Sequence, residues 1–307
     1  MHAMMGAVAF LLALFALPAQ AHETGAADAF GFPWTFDPWV VTPLLATGFL
    51  YLIGTQRLWR RAGLGRGVHQ CQATCFWGGW ACLALALVSP LHWLGERLFV
   101  AHMIEHTTIM AVAAPLIAVS RPIGAVLWAL PQRVRLAVGR VSKSRGVSAL
   151  WRMAREPLTA TALQALVLWI WHMPALYQLA LTHVLAHRLQ HLSFLLAASL
   201  FWWSLFYSPA RSRAYGVALF CLFVTMMQSG ILGALLTLSR RIWYPAQDVF
   251  ADASGLSALE DQQLAGLVMW VPMGLIYTAA ALLLAAQWIR TAADPDRLRR
   301  RDVALAG

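Results

Sequence analysis

Charge is what this chain has least of. Only 12% of its 307 residues are charged, about half the share of an ordinary soluble domain. Lysine is nearly absent, with Lys143 alone beside a set of arginines. Hydrophobic residues make up 60% and the mean hydropathy is +0.62. This balance excludes a soluble domain and specifies a polytopic membrane protein. The four cysteines, Cys71, Cys75, Cys82 and Cys221, show no CxxC spacing. None falls in a segment expected on the periplasmic side, so no structural disulfide is expected. Hydrolase signatures are missing too: no Ser, His and acid arrangement stands out. Glu105 directly precedes His106, whereas a zinc-protease HExxH needs its acid directly after the first histidine. The net charge of +10 would suggest nucleic acid in a soluble protein. Here the basic residues punctuate apolar runs, which points to orientation in lipid and no nucleic-acid partner.

What is present is a series of apolar runs. Residues 1–21 read as a signal peptide, with an apolar core from Gly6 to Leu17 and Ala19-Gln20-Ala21 as the small-x-small cleavage site. Residues 22–37 form a periplasmic lead-in. Seven spans are expected near 38–55, 73–90, 98–119, 157–178, 185–207, 214–237 and 264–288, within a domain of 38–289, followed by a basic cytoplasmic tail at 290–307. The fold class is therefore all-α: a membrane bundle of seven transmembrane helices after a signal peptide. With the N-terminus outside, nineteen of the twenty-three basic residues fall on the inside, and only Arg97, Arg188, Arg240 and Arg241 remain outside. The positive-inside rule then places the N-terminus in the periplasm and the C-terminus in the cytoplasm of a bacterial inner membrane. The long inside connection at 120–156 mixes Arg with Val, Leu and Trp, and is expected to hold a surface-lying amphipathic helix.

In that orientation seven histidines collect at the outer side: His92, His102, His106, His172, His183, His187 and His191. At 100° per residue, His102, His106 and Met110 fall on one narrow helical track. His183, His187 and His191 fall on another. His92 and His183 read as interfacial histidines at headgroup depth. His102, His106, His187 and His191 read as metal ligands, because two separate helices each present an i, i+4 pair. Glu105 flanks the first track, either orienting an imidazole or balancing a cation, or snorkelling outward to pair with Arg97 or Arg188. Imidazoles suit copper or zinc and thioethers suit Cu(I). With Met103, Met110, Met226, Met227, Met269 and Met273 in the spans, the combination favours copper. Asp261 and Met269 lie only 80° apart on the last helix.

At these residues the chain resembles a known family, the membrane-embedded cytochrome c oxidase assembly factors of the CtaG, caa3-associated type. The resemblance is carried by His102-Met103-x-x-His106, by Trp171-His172-x-Pro174-Ala175-Leu176-Tyr177, and by His187-x-x-x-His191-Leu192-Ser193-Phe194 followed by Phe201-Trp202-Trp203. The last block is Asp261-Gln262-Gln263-x-x-Gly266-Leu267-x-Met269-Trp270-x-Pro272. It covers about Pro38 to Trp288. Thr107 is a departure, since relatives often have methionine there. The resemblance implies a non-enzymatic role in maturing a haem–copper oxidase, with copper handled near the periplasmic face. The expected ligands are His102, His106, His187 and His191, with His172 and Met103 auxiliary and Asp261 and Met269 completing the site. The expected partners are an oxidase subunit, a periplasmic copper chaperone and the lipid bilayer. Two other readings stay open: a bis-histidine haem protein, and a copper transporter using Met226, Met227, Gln228 and the inner His69-Cys71-Cys75 cluster.

Overall fold

The computed structural model describes residues 33–207, 212–245 and 255–292. The expected signal peptide, most of the lead-in and the basic tail beyond residue 292 lie outside the described residues. Every regular element among the described residues is helical. Six helices are long and apolar enough to cross a membrane, and a bent pair supplies a seventh crossing if counted as one span.

Helix α1 (Pro38–Ala62) begins where Asp37 accepts from the Trp39 amide at 3.0 Å, with Pro38 in the first turn. The Asp37 carboxylate also takes a two-point contact from Arg188 at 2.8 and 3.0 Å, which ties the start of α1 to a distant helix. Helix α2 (Gln70–Val88) ends at Ser89, whose hydroxyl accepts from Leu91 N and opens the short helix α3 (Pro90–Gly95).

Helix α4 (Phe99–Ser120) is the central span. Of its most apolar stretch 61% is buried, against 17% for the last helix. It packs on α2, α3 and two later spans. It is not uniform: Thr108–Ala113 form a π-helical turn. The cause is legible locally. Ala114 N–H reaches back five residues to the Ile109 carbonyl, and the next residue, Pro115, has no N–H to offer Met110 in the same register. The Met110 carbonyl is instead taken by Trp202 Nε1 at 2.9 Å. Arg121, at φ 51°, ends the helix in the left-handed region, and Pro122 starts α5 (Pro122–Ala129), which packs on α1.

The connection expected to hold one surface helix holds three: α5, then α6 (Gln132–Ser142) and α7 (Arg145–Ala154). Neither α6 nor α7 buries a residue. Leu136, Leu150 and Trp151 are exposed along with Arg140, Arg145 and Arg152, the pattern of helices lying at a lipid surface.

The fourth crossing departs from the expected straight span. Helix α8 (Pro157–Trp171) stops at His172, and α9 (Pro174–Thr182) leaves at 73°. Pro174 disfavours helical geometry at the residue before it, and Met173 is extended at ψ 129°. Helix α10 (Val184–Tyr207), α11 (Ser212–Leu238) and α12 (Ala258–Ala292) complete the bundle. Helices α11 and α12 approach backbone to backbone at Gly233 and Gly266, where a Cβ on Gly266 would meet the Gly233 carbonyl oxygen at 2.5 Å. The largest apolar cluster joins α4, α8, α9, α10, α11 and α12 through Met103, Met110, Phe194, Phe201, Trp202 and Tyr277.

Candidate metal centre

The two histidine tracks face each other. On α4 the His102 and His106 rings lie 4.2 Å apart, and on α10 the His187 and His191 rings lie 4.5 Å apart. Between the helices, His106 is 5.0 Å from His191, and His102 is 5.6 Å from His187 and 5.7 Å from His191. These are centroid separations of rings in contact. His92, on α3, joins them at 5.3 Å from His187 and 5.8 Å from His191.

Two groups of three could each close on an ion: His92, His187 and His191, and His102, His106 and His191. In each group one ligand atom per ring lies within 4.8 Å of the others. Nitrogens about 2 Å from one ion are at most about 4 Å apart, so small ring rotations suffice. Both ring nitrogens of His106 and of His191 are buried with no hydrogen-bond partner, as are the Nε2 atoms of His172 and His187. Such orphans are rare in proteins and each costs about 1–3 kcal/mol. Their concentration in one pocket makes it the candidate site.

Glu105 is the hub. It is fully buried; its Oε1 is 2.9 Å from His92 Nδ1, and its Oε2 is 3.8 Å from His102 Nδ1 and 3.9 Å from His191 Nε2. A neutral His92 that donates Nδ1–H to this carboxylate carries its lone pair on Nε2, ready for a metal. Burial works against a charge on His92, but the hydrogen bond and the charge of Glu105 outweigh it and lift the imidazole above its ordinary range. Gly95 makes the approach of α3 possible, since a Cβ there would meet Glu105 Oε2 at 2.8 Å.

His172 sits at the bend between α8 and α9, with its ring 6.4 Å from that of His106. The bend frees the geometry for Nδ1 to donate to the Leu168 carbonyl at 2.7 Å. This leaves the lone pair on the orphaned Nε2. Tyr244 donates to the His172 carbonyl at 2.7 Å, and Trp171 Nε1 to Ser193 Oγ at 2.8 Å, so the bend is clamped from two sides.

The remaining expected site residues stand elsewhere. Asp261 is buried, and its two oxygens accept from Phe99 N at 2.7 Å and Val100 N at 2.9 Å. It belongs to neither group of three. Met103 and Met269 are buried in the apolar cluster with Phe99, Tyr177 and Phe194. His183 is exposed, with Nδ1 2.9 Å from Thr182 Oγ1, and stands apart from the pocket. His92 is not interfacial: it is 8% exposed and part of the pocket. Glu105 reaches neither expected arginine: Arg188 pairs with Asp37, and Arg97 lies over the Trp93 ring. The one available signal was the short distance in sequence from Ser89-Pro90 to the α4 track, which forces a tight turn over that helix.

A family model described as cytochrome c oxidase caa3 assembly factor (Caa3_CtaG) matches residues 49–291. The chain belongs to that family. A comparison with curated proteins returned no match, nor did one with solved structures. The assembly factor's motif blocks now acquire physical roles. The Asp-Gln-Gln block is a clamp. Asp261 caps α4, Gln262 accepts from Trp243 N and donates to the Arg241 carbonyl, and Gln263 donates to the Ser239 carbonyl. The Phe-Trp-Trp block supplies Trp202 to the π turn of α4. Both hold in place the helix that carries His102 and His106.

Proposed function

We propose that this cytochrome c oxidase assembly factor binds copper as cargo in the histidine pocket and passes it toward an oxidase subunit at the periplasmic face. The observation that carries the reading is the convergence of His92, His102, His106, His187 and His191, with orphaned nitrogens, around one buried carboxylate. Neutral imidazoles are borderline ligands that suit copper, and a single negative charge offsets a monovalent cation in a low-dielectric pocket. His172, through Nε2, is the further nitrogen nearest the His106 side. Asp261 is assigned to holding α4 rather than to the ion, and Met103 and Met269 to packing. The proposed role is non-enzymatic, in keeping with the chain's assembly-factor family.

Ring contacts at 4.2–5.8 Å throughout the pocket favour a small ion over haem, which needs a planar slot between two imidazoles. Beyond His106 and His191, both helices continue with buried apolar residues, Met110, Ala111 and Ala114 on α4 and Phe194, Ala198, Phe201 and Trp202 on α10. That packing favours a carrier that loads and unloads on one side over a conduit. The test is copper content of detergent-purified protein. The wild type is expected to retain about one ion per chain and a His106→Ala, His191→Ala double variant none. Equal copper in both, or none in the wild type, would refute the reading.

A further inference from the structure

We propose that the pocket holds one copper ion at two positions in series, an outer one on His92, His187 and His191 and an inner one on His102, His106 and His191, with the shared His191 handing the ion between them. This rests on the copper reading above and deepens it. The motivating geometry is that the two groups of three have one member in common and differ in exposure. All three inner residues are buried, while His187 in the outer group is partly exposed, although its Nε2 is not. The outer position is therefore the one that an incoming partner can reach, and the inner one is shielded.

The chemistry of a shared imidazole sets the occupancy. A neutral ring has a single lone pair for a metal. His191 can thus complete one position at a time through that one nitrogen, and the two positions are alternatives for one ion. Passing the ion by exchanging His92 and His187 for His102 and His106, with His191 retained, never strips it of all ligands. Glu105 serves both positions from one place. Its Oε1 orients His92, and its Oε2 stands within 4 Å of nitrogens on both His102 and His191. The compensating charge therefore need not move when the ion does. The His172 ring lies 6.4 Å from that of His106, an inner ligand, and its Nε2 is without a partner, which adds depth to that position.

This arrangement makes His92 a residue of the path rather than of the resting site. Its removal should slow loading and release far more than it lowers the resting affinity, a signature that loss of folding or of an inner ligand does not give. The experiment uses full-length protein in detergent, loaded with Cu(I) and chased with a chromogenic Cu(I) chelator, with stoichiometry and affinity taken by competition. The wild type should bind one Cu(I). His92→Ala should slow loading and release by about tenfold or more while losing clearly less affinity than His106→Ala, which should lose about 10–100-fold. His191→Gln, which preserves bulk, should abolish tight binding while the protein stays monodisperse. Two Cu(I) bound at once by the wild type would overturn the proposal. So would unchanged rates in His92→Ala, or a His92→Ala affinity as low as that of His106→Ala. A wild type that binds no copper would instead defeat the copper reading itself.

Discussion

Replacing Asp261 separates the two roles that its chemistry permits, ligand and helix cap. The carboxylate accepts from the Phe99 and Val100 amides at 2.7 and 2.9 Å, across 162 and 161 residues of sequence. Leu98, at the N-cap position of α4, has no side-chain oxygen to offer them. These are charge-assisted bonds to amides at the positive end of a helix. Each is worth about 1.5–3 kcal/mol, so Asp261→Ala, which leaves both amides without their acceptor, should destabilise the protein by about 3–6 kcal/mol. Asp261→Asn keeps one acceptor oxygen and should cost about half as much. The assay is SDS-titration unfolding of the purified protein, read by tryptophan fluorescence, together with copper per folded chain at low SDS. The expected outcome for Asp261→Asn is a lowered unfolding midpoint with undiminished copper in the folded fraction. A variant that unfolds like the wild type yet carries no copper would refute the capping role and return Asp261 to the metal site.

Glu105→Gln preserves volume but removes the charge that faces three imidazoles. Copper affinity should fall by about 10–100-fold with no loss of folded protein, and an unchanged affinity would show that the carboxylate does not serve the ion. Trp202→Phe leaves the Met110 carbonyl of the π turn without its donor, and should cost about 1–3 kcal/mol in the same unfolding assay; no loss would mean the carbonyl finds another partner. Gly266→Val would drive a branched side chain into the Gly233 carbonyl and Thr237. It should reduce the yield of folded protein sharply, and a normal yield would show that α11 and α12 tolerate separation.

The bundle was largely legible in the chain, because apolar runs of bilayer length and arginine punctuation need no tertiary knowledge. The facing of His102 and His106 toward His187 and His191 was legible too, since i, i+4 spacing puts each pair on one side of its own helix. What the sequence left obscure depended on contacts far apart in it. Asp261 looks like a ligand until its oxygens are seen on amides some 160 residues away. His92 sits in a six-residue helix too short to carry a periodicity, so no helical pattern distinguishes a pocket histidine from a headgroup one, and only the short link to α4 hints at it. Glu105 looks like a carboxylate in need of an arginine, and only the seating of α3 at Gly95 supplies it with imidazoles instead. The bend at His172 was written in the Trp-His-x-Pro block, but its use was not: the break lets one ring nitrogen spend itself on the Leu168 carbonyl and leaves the other free.

X-ray absorption at the copper edge of the loaded wild-type protein tests the central claim most directly. The account predicts a coordination shell of about three nitrogens with the outer-shell scattering of imidazole rings. A shell dominated by sulfur would contradict it and move the ion to the methionines or cysteines.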